Sequence, residues 1–167
     1  VTRSGFTHSA NFQYSTSTNI NRYDRLTDPN GSGLKSAEWY YGPQKRLLGV
    51  YSLEKENVFT NTDFKLDAGY QNVEESRYNR NFGNYNLQSR IESVSVYSLA
   101  ANFETKLKKG NLYYGVENYY DDLISTAEKT NINTDIVVQL DTRYPNRQNN
   151  MMRNDVYISY SSKRNAA

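Results

Sequence analysis

The feature that most constrains this chain is a two-residue alternation of apolar and polar side chains over unusually long segments. It is clearest from residue 58 to residue 71. One phase holds Val58, Thr60, Thr62, Phe64, Leu66, Ala68 and Tyr70, and the other holds Phe59, Asn61, Asp63, Lys65, Asp67, Gly69 and Gln71. Because successive side chains of a β-strand point to opposite faces, this pattern predicts a strand with one apolar and one polar face. Its length is more than twice the usual strand of about 5–6 residues.

The same alternation recurs in six segments along the chain. We predict strands at 5–18, 36–53, 58–71, 90–107 and 112–120, and a last strand around 156–160. The predicted connections are long at 19–35, 72–89 and 121–154, and tight at 54–57 and 108–111. Short periplasmic turns alternating with long extracellular loops are typical of bacterial outer-membrane barrels. The sequence therefore predicts an all-β fold: an antiparallel meander of about six long strands, part of a large transmembrane β-barrel.

The second predicted strand contains a proline, which indicates a bulge or an unpaired edge at Pro43. The simple alternation places Trp39 and Tyr41 on the same apolar face as Leu47 and Tyr51. Aromatic residues near both ends of the predicted strands would form the two interfacial girdles of a membrane barrel.

Composition limits the alternatives. Hydrophobic residues make up 37% of the chain and mean hydropathy is −0.88, which is little for a thick apolar core. A membrane barrel needs no such core, because lipid covers its apolar face. The net charge of +2 argues against a nucleic-acid partner, and the lack of cysteine excludes disulfides and thiol nucleophiles. A soluble β-meander or sandwich, acting as an adhesin or carbohydrate-binding module, and a passive porin-type channel remain alternatives.

One part of the second predicted strand carries a more specific signal. Residues 39–44, with the sequence WYYGPQ, and the flanking stretches 21–27 and 37–48 resemble TonB-dependent outer-membrane receptors. Residues 75–78 (ESRY) and 142–145 (TRYP) are similar to segments of the same receptors. The resemblance implies a barrel of about 22 strands around an N-terminal plug, with a short TonB-binding segment.

The resemblance also implies a location and partners. We expect a protein of the bacterial outer membrane that contacts its lipid and imports a scarce ligand, such as a ferric siderophore, haem or glycan. Energy would come from the TonB complex through an N-terminal part that residues 1–167 do not contain. With about six strands, no leader and no initiating Met, the chain is expected to be an internal fragment, residues 1–167 forming a partial barrel domain.

Arginine and tyrosine recur in the three predicted long loops. Guanidinium groups pair with carboxylates or phosphates, and tyrosine rings stack on planar or sugar surfaces. The candidates for ligand contact are therefore Arg22, Tyr23, Arg25, Arg77, Tyr78, Arg80, Arg143 and Tyr144. The alternative is that these residues order the loops themselves by pairing with Asp24, Asp28 and Glu75.

The sequence offers little for catalysis. His8 is the only histidine and has no acidic residue nearby in the chain, so a general-base or metal-ligand role lacks an orienting partner. The adjacent carboxylates at 74–75 and 121–122 lack the regular spacing of a calcium loop. We expect no enzyme activity, no catalytic or metal-binding residues and no cofactor.

Overall fold

Strands form where the side chains alternate and continue beyond those segments. The computed structural model describes residues 2–3, 5–144 and 147–162; Pro145, in the stretch 142–145 that carries part of the family resemblance, lies outside the described residues. In chain order the elements are β1 (Thr2–Arg3), β2 (Phe6–Thr16), β3 (Ile20–Asn21), α1 (Tyr23–Leu26), β4 (Pro29–Asn30), β5 (Gly33–Leu34), β6 (Ser36–Tyr41), β7 (Lys45–Phe59), β8 (Thr62–Asn81), β9 (Asn86–Leu107), β10 (Gly110–Asn131), β11 (Val137–Gln139) and β12 (Gln148–Ser162). Tight hairpins join β7 to β8, β8 to β9 and β9 to β10. Within the described ranges, no helix is long and apolar enough to cross a lipid bilayer.

The long strands build one antiparallel sheet in the order β2-β7-β8-β9-β10-β12. Strands account for 77% of the described residues, so the prediction of an all-β antiparallel meander is confirmed. Among the described strands, β2 and β12 do not pair with each other, and the sheet is open. We call the end with the connection at 60–61 the turn end, and the end with α1 the loop end.

The two faces of the sheet differ in chemistry. Residues directly opposite each other share a face, and one such row contains Leu53, Leu66, Ala101, Val116 and Val156. We call the face with this row the apolar face and the other the polar face. Only one hydrophobic residue in the described part of the chain, Ala127, is buried. The sheet therefore has no apolar core of its own.

Two of the predicted loops are largely strand. β8 continues to Asn81 and β9 begins at Asn86, so the prediction of a loop at 72–89 is wrong. The predicted loop at 121–154 shrinks to 132–147, part of which is β11. The alternation fades near the loop end because both faces carry polar side chains there, whereas the backbone pairing continues.

The turn predicted at 54–57 is also wrong, because β7 runs through it to Phe59. The chain reverses at Thr60 and Asn61 instead, with Asn61 at a φ of 56°. The polar residues that suggested the turn remain within β7, where the pairing register shifts between Lys55 and Phe59. The turn predicted at 108–111 is confirmed at its first half, since β9 ends at Leu107 and β10 begins at Gly110.

The irregularity predicted at Pro43 is confirmed, but its consequence was missed. Lys45 lies opposite Glu74 and Tyr41 lies opposite Arg77, so three residues of the chain bridge two residues of β8. A bulge of this kind reverses the phase of the strand beyond it. Trp39 and Tyr41 therefore lie on the polar face, and their predicted place on the apolar face is wrong.

Candidate functional site

The first predicted ligand residue, Arg22, is held tightly between α1 and β6. Its Nε donates to Oδ1 of Asp24 at 2.7 Å and its Nη2 to Oδ2 at 2.5 Å. Its Nη1 donates to the hydroxyl of Tyr41 at 2.7 Å, and the guanidinium lies 5.0 Å from the ring centroid of Trp39. These contacts fix the N-terminal end of α1 to β6.

The ion pair changes the proton affinity of both partners. The hydrogen bonds from Arg22 lower the pKa of Asp24 from 3.8 to about 2. The same contact, with a smaller contribution from the Tyr41 hydroxyl, raises the pKa of Arg22. Both groups therefore stay charged at any ordinary pH, and most of the bonding capacity of Arg22 is used within the protein.

The remaining candidates of the first loop are more open. Arg25 lies 3.6 Å from Asp28 and 3.9 Å from Asp24, measured between charged atoms. Tyr23 is 73% exposed. This loop thus follows the alternative interpretation in part, because its arginines pair with its own carboxylates.

Arg77, Tyr78 and Arg80 do not lie in a loop, and that part of the prediction is wrong: all three belong to β8. Arg80 donates through Nε to Glu38 of β6 at 2.7 Å and through Nη1 to the carbonyl oxygen of Asn84 at 3.1 Å. Tyr78 stacks on Tyr40 of β6 with 4.9 Å between ring centroids. Burial, together with Glu38, raises the pKa of Tyr40.

Strand β6 brings the first two groups of candidates together. Arg22 binds Tyr41, and Tyr41 lies directly opposite Arg77 on the polar face. Arg80 and Tyr78 lie on the other face of the same strand pair. The predicted residues therefore surround β6 but do not converge on a single point.

The third group is separate. Arg143 and Tyr144 lie in the connection between β11 and β12 and are exposed. The hydroxyl of Thr142 donates to the carbonyl oxygen of Tyr144 at 2.6 Å. No hydrogen bond or ion pair within the described ranges joins them to the first two groups.

A cavity at the loop end was not expected from the sequence. We call it the Trp39 cavity. It has a volume of about 380 Å³ and is lined by Arg25, Asp28, Lys35, Ser36, Trp39, Asn79 and Asn81. Asn79 and Asn81 fall in the predicted loop at 72–89, and only the pairing of β6 with β8 places them beside Trp39. No local motif signals this arrangement.

A second cavity, of about 360 Å³, lies on the sheet at the turn end. Several of its charged side chains are paired within the protein: Lys65 lies 3.4 Å from Glu54 and 3.6 Å from Asp67. Tyr157 donates from its hydroxyl to Oδ1 of Asn102 at 2.7 Å across the same region. These contacts stabilise the polar face and leave few unpaired groups for a ligand.

Neither metal binding nor histidine-based catalysis has an assembled site among the described residues. No group of three or more His, Cys, Asp or Glu side chains there is placed to hold a metal ion. The ring Nδ1 of His8 lies 2.6 Å from the hydroxyl of Tyr51, its neighbour on the apolar face.

No protein-family model, curated protein or solved structure matches the chain.

Proposed function

We propose that this sheet is a segment of the wall of an outer-membrane β-barrel belonging to a TonB-dependent receptor, whose loop end captures a ligand for import. The observation that carries the proposal is the exposure of the apolar face. Val156 is 82% exposed, Ile158 75% and Phe12 72%, and all three lie on that face. A contiguous exposed apolar surface of this extent needs a partner, and lipid fits a long antiparallel sheet.

The arrangement of the rings on this face supports a bilayer as the partner. Phe64, Phe103 and Tyr114 form one row across three strands, with centroids 5.1 and 5.2 Å apart. A second row, of Tyr70, Tyr97 and Tyr120, has spacings of 5.0 and 6.2 Å. The rows lie six residues apart on β8, or about 20 Å along the strand. Outer-membrane barrels carry an apolar band of about 25 Å between aromatic girdles.

Two hydrogen-bonded polar pairs lie on the apolar face between the two rows: His8 with Tyr51, and Asn118 with Asn154. Asn118 and Asn154 are directly opposite each other on the apolar face. The side-chain amide of Asn118 donates to Oδ1 of Asn154 at 2.6 Å. Because the two side-chain amides are hydrogen-bonded to each other, the free-energy cost of placing them against hydrocarbon is reduced.

The edges of the sheet supply a second, independent argument. Between the two aromatic rows the outermost strands are β2 and β12, with 11 and 15 residues, whereas near the turn-end row the two-residue β1 pairs outside β2 at Phe6 and Thr7. Nearer the loop end the outermost strands are β3 and β11, with only 2 and 3 residues. Short edge strands protect a sheet in water, whereas long unpaired edges invite further strands. The edges are therefore suited to continued pairing only at the height of the apolar band.

The assignment to TonB-dependent receptors rests on the resemblance of residues 39–44 and their flanks. In this proposal the short connections at 60–61 and 108–109 face the periplasm and the loop end faces outward. Exposed candidates such as Tyr23, Arg143 and Tyr144 are then free to contact a ligand. The plug and the TonB-binding segment that import requires would come from residues beyond these 167.

Cysteine accessibility tests the proposal directly, because the chain has no native cysteine. Cysteine is introduced at one position at a time, in a cell that carries the protein in its membrane. Substitutions at Leu99, Ala100, Ala101 and Asn102 report the water accessibility of both faces of β9. We expect a water-soluble maleimide to label positions 100 and 102 once the outer membrane is permeabilised, and to spare 99 and 101. The same four positions, all labelled in urea, serve as the control.

Orientation is tested with a second pair. We expect Asp135→Cys, near the loop end, to be labelled on intact cells, and Lys109→Cys to be labelled only after permeabilisation. Recovery of the chain in the soluble fraction, with no alternation along β9, would replace the membrane proposal with a water-soluble β-domain.

A further inference from the structure

We propose that the Trp39 cavity binds an acidic saccharide, a sugar chain of one or two rings that carries a carboxylate. The proposal deepens the function above and rests on its claim that the loop end captures a ligand. It concerns residues that, except for Arg25, are not among those predicted from the sequence.

The floor of the cavity is formed by two neighbouring cross-strand pairs of β6 and β8. Trp39 lies opposite Asn79, and Ser36 lies opposite Asn81, all on the polar face. The side-chain amides of the two asparagines have no hydrogen-bond partner among the described residues. The Arg22 guanidinium covers one face of the Trp39 ring. An indole ring beside free amides matches a sugar ring, which offers an apolar face for stacking and hydroxyl groups at its rim.

The wall of the cavity is held by backbone hydrogen bonds. The amide of Lys35 donates to the carbonyl oxygen of Asp28 at 2.9 Å, and the amide of Phe82 donates to that of Lys35 at 3.1 Å. The amide of Arg22 donates to the carbonyl oxygen of Trp39 at 3.0 Å. The loop therefore keeps its shape against the sheet, and a ligand meets a site that is already formed.

Charge selects an acidic sugar over a neutral one. Arg25 is already shared between Asp24 and Asp28, but Lys35 makes no ion pair with any described residue. Lys35, an exposed residue that lines the cavity, thus brings it one positive charge with no ion-pair partner among the described residues. A carboxylate on the ligand supplies this partner, while Asp28 accepts hydrogen bonds from hydroxyl groups.

The size of the cavity limits the ligand. Its volume of about 380 Å³ lies near the lower end of the ~300–1,000 Å³ range of small-molecule sites. One or two sugar rings fit this range, with the rest of a longer chain extending into solvent.

The experiment uses the only tryptophan of the chain as its reporter. The whole chain in detergent micelles is titrated with digalacturonate and, separately, with the neutral disaccharide galactobiose, while the emission of Trp39 is followed. We expect a saturable change with digalacturonate, and binding of galactobiose at least about tenfold weaker, since a hydrogen bond to a charged group contributes about 1.5–3 kcal/mol.

Variants locate the effect. Lys35→Gln should weaken digalacturonate about tenfold or more and leave galactobiose unchanged, and Asn79→Ala should weaken both. Lys109→Gln, which removes an exposed lysine at the turn end, is the matched control, with far-UV circular dichroism verifying the fold of each variant.

Three results would overturn the proposal: no saturable change up to about 10 mM sugar, equal binding of the two disaccharides, or the same change with inorganic phosphate. Because the titration is done in micelles, it can fail while the cysteine test succeeds. Binding without membrane insertion would keep the site and remove only its membrane setting.

Discussion

Tyr157 reaches across Gly115 to Asn102: its hydroxyl donates to the side-chain oxygen of Asn102 at 2.7 Å, and the three residues form one row on the polar face. A Cβ atom at Gly115 would lie 2.6 Å from the carbonyl oxygen of Ala101 and 2.9 Å from the tyrosine ring. The glycine is therefore required for the contact between β12 and β9 across the intervening strand.

Gly115→Ala should destabilise the sheet, because the added methyl group meets a backbone oxygen that cannot move away cheaply. We expect a loss of about 1–3 kcal/mol in the free energy of unfolding, measured by urea denaturation in micelles. Gly49→Ala is the control, since nothing lies within 4 Å of its Cβ position. It should change the stability by no more than about 0.5 kcal/mol. Equal effects of the two substitutions would contradict the packing shown here.

A charge placed on one face of β9 should have a different effect from the same charge on the other. Leu99 lies on the apolar face, whereas Ala100 lies between Asp67 and Glu117 on the polar face. In lipid vesicles we expect Leu99→Arg to cost about 2–4 kcal/mol of folding free energy. Ala100→Arg should cost little, because two carboxylates flank it. A larger loss for Ala100→Arg would argue against lipid on the apolar face.

The ion pair of Arg22 with Asp24 should give the loop end a defined response to acid. The pKa of Asp24 in the folded chain is about 2, below its ordinary value of 3.8, so its ionised form stabilises the folded loop above about pH 4. That stabilisation is lost as the pH falls from about 4 towards 2. Because Arg22 lies over the ring of Trp39, tryptophan emission should change with a midpoint near pH 2.

Asp24→Asn is the control for this titration. It should remove the acid transition and leave the emission at its low-pH value throughout, while circular dichroism follows the sheet separately. A midpoint near pH 4 in the unaltered chain would show that the ion pair is not formed in solution.

Arg80 should anchor the turn between β8 and β9. A lysine at this position cannot bind Glu38 and the carbonyl oxygen of Asn84 together, because it lacks the fork of the guanidinium. We expect Arg80→Lys to speed hydrogen exchange of the amides at 82–86, corresponding to a local loss of about 1 kcal/mol. Arg46→Lys, at an exposed arginine with no ion pair among the described residues, should leave the same amides unchanged.

The sequence predicts strands well where the two faces of the sheet differ in side-chain chemistry. Leu66 and Asp67 alternate because one face is apolar and the other polar, and every long strand was placed from that signal. Near the loop end the signal disappears. In this part of β8 both faces carry polar side chains, Glu74 on one and Arg77 and Asn79 on the other. Backbone hydrogen bonds to β9 hold the strand there, and the side-chain pattern does not reveal them.

The candidate site was predicted less well, for a related reason. One extra residue in the bulge at Pro43 reverses the phase of β6, and a periodic pattern cannot show on which side of a bulge the phase changes. The pairing of Trp39 with Asn79 joins residues 40 positions apart. Arg22, Tyr23 and Arg25 lie within the predicted connection at 19–35, where turn-forming residues mark the break between strands, although Tyr23 and Arg25 belong to α1.

Each long strand of the sheet lies beside the long strand that comes just before or after it in the chain. Between β7 and β10 the connections are short, at 60–61, 82–85 and 108–109, and the conformational entropy lost at each of these closures is small. These four central strands therefore do not depend on bringing distant parts of the chain together before they gain stability. This part of the sheet can grow by one hairpin at a time, with each finished hairpin offering its outer strand as the template for the next.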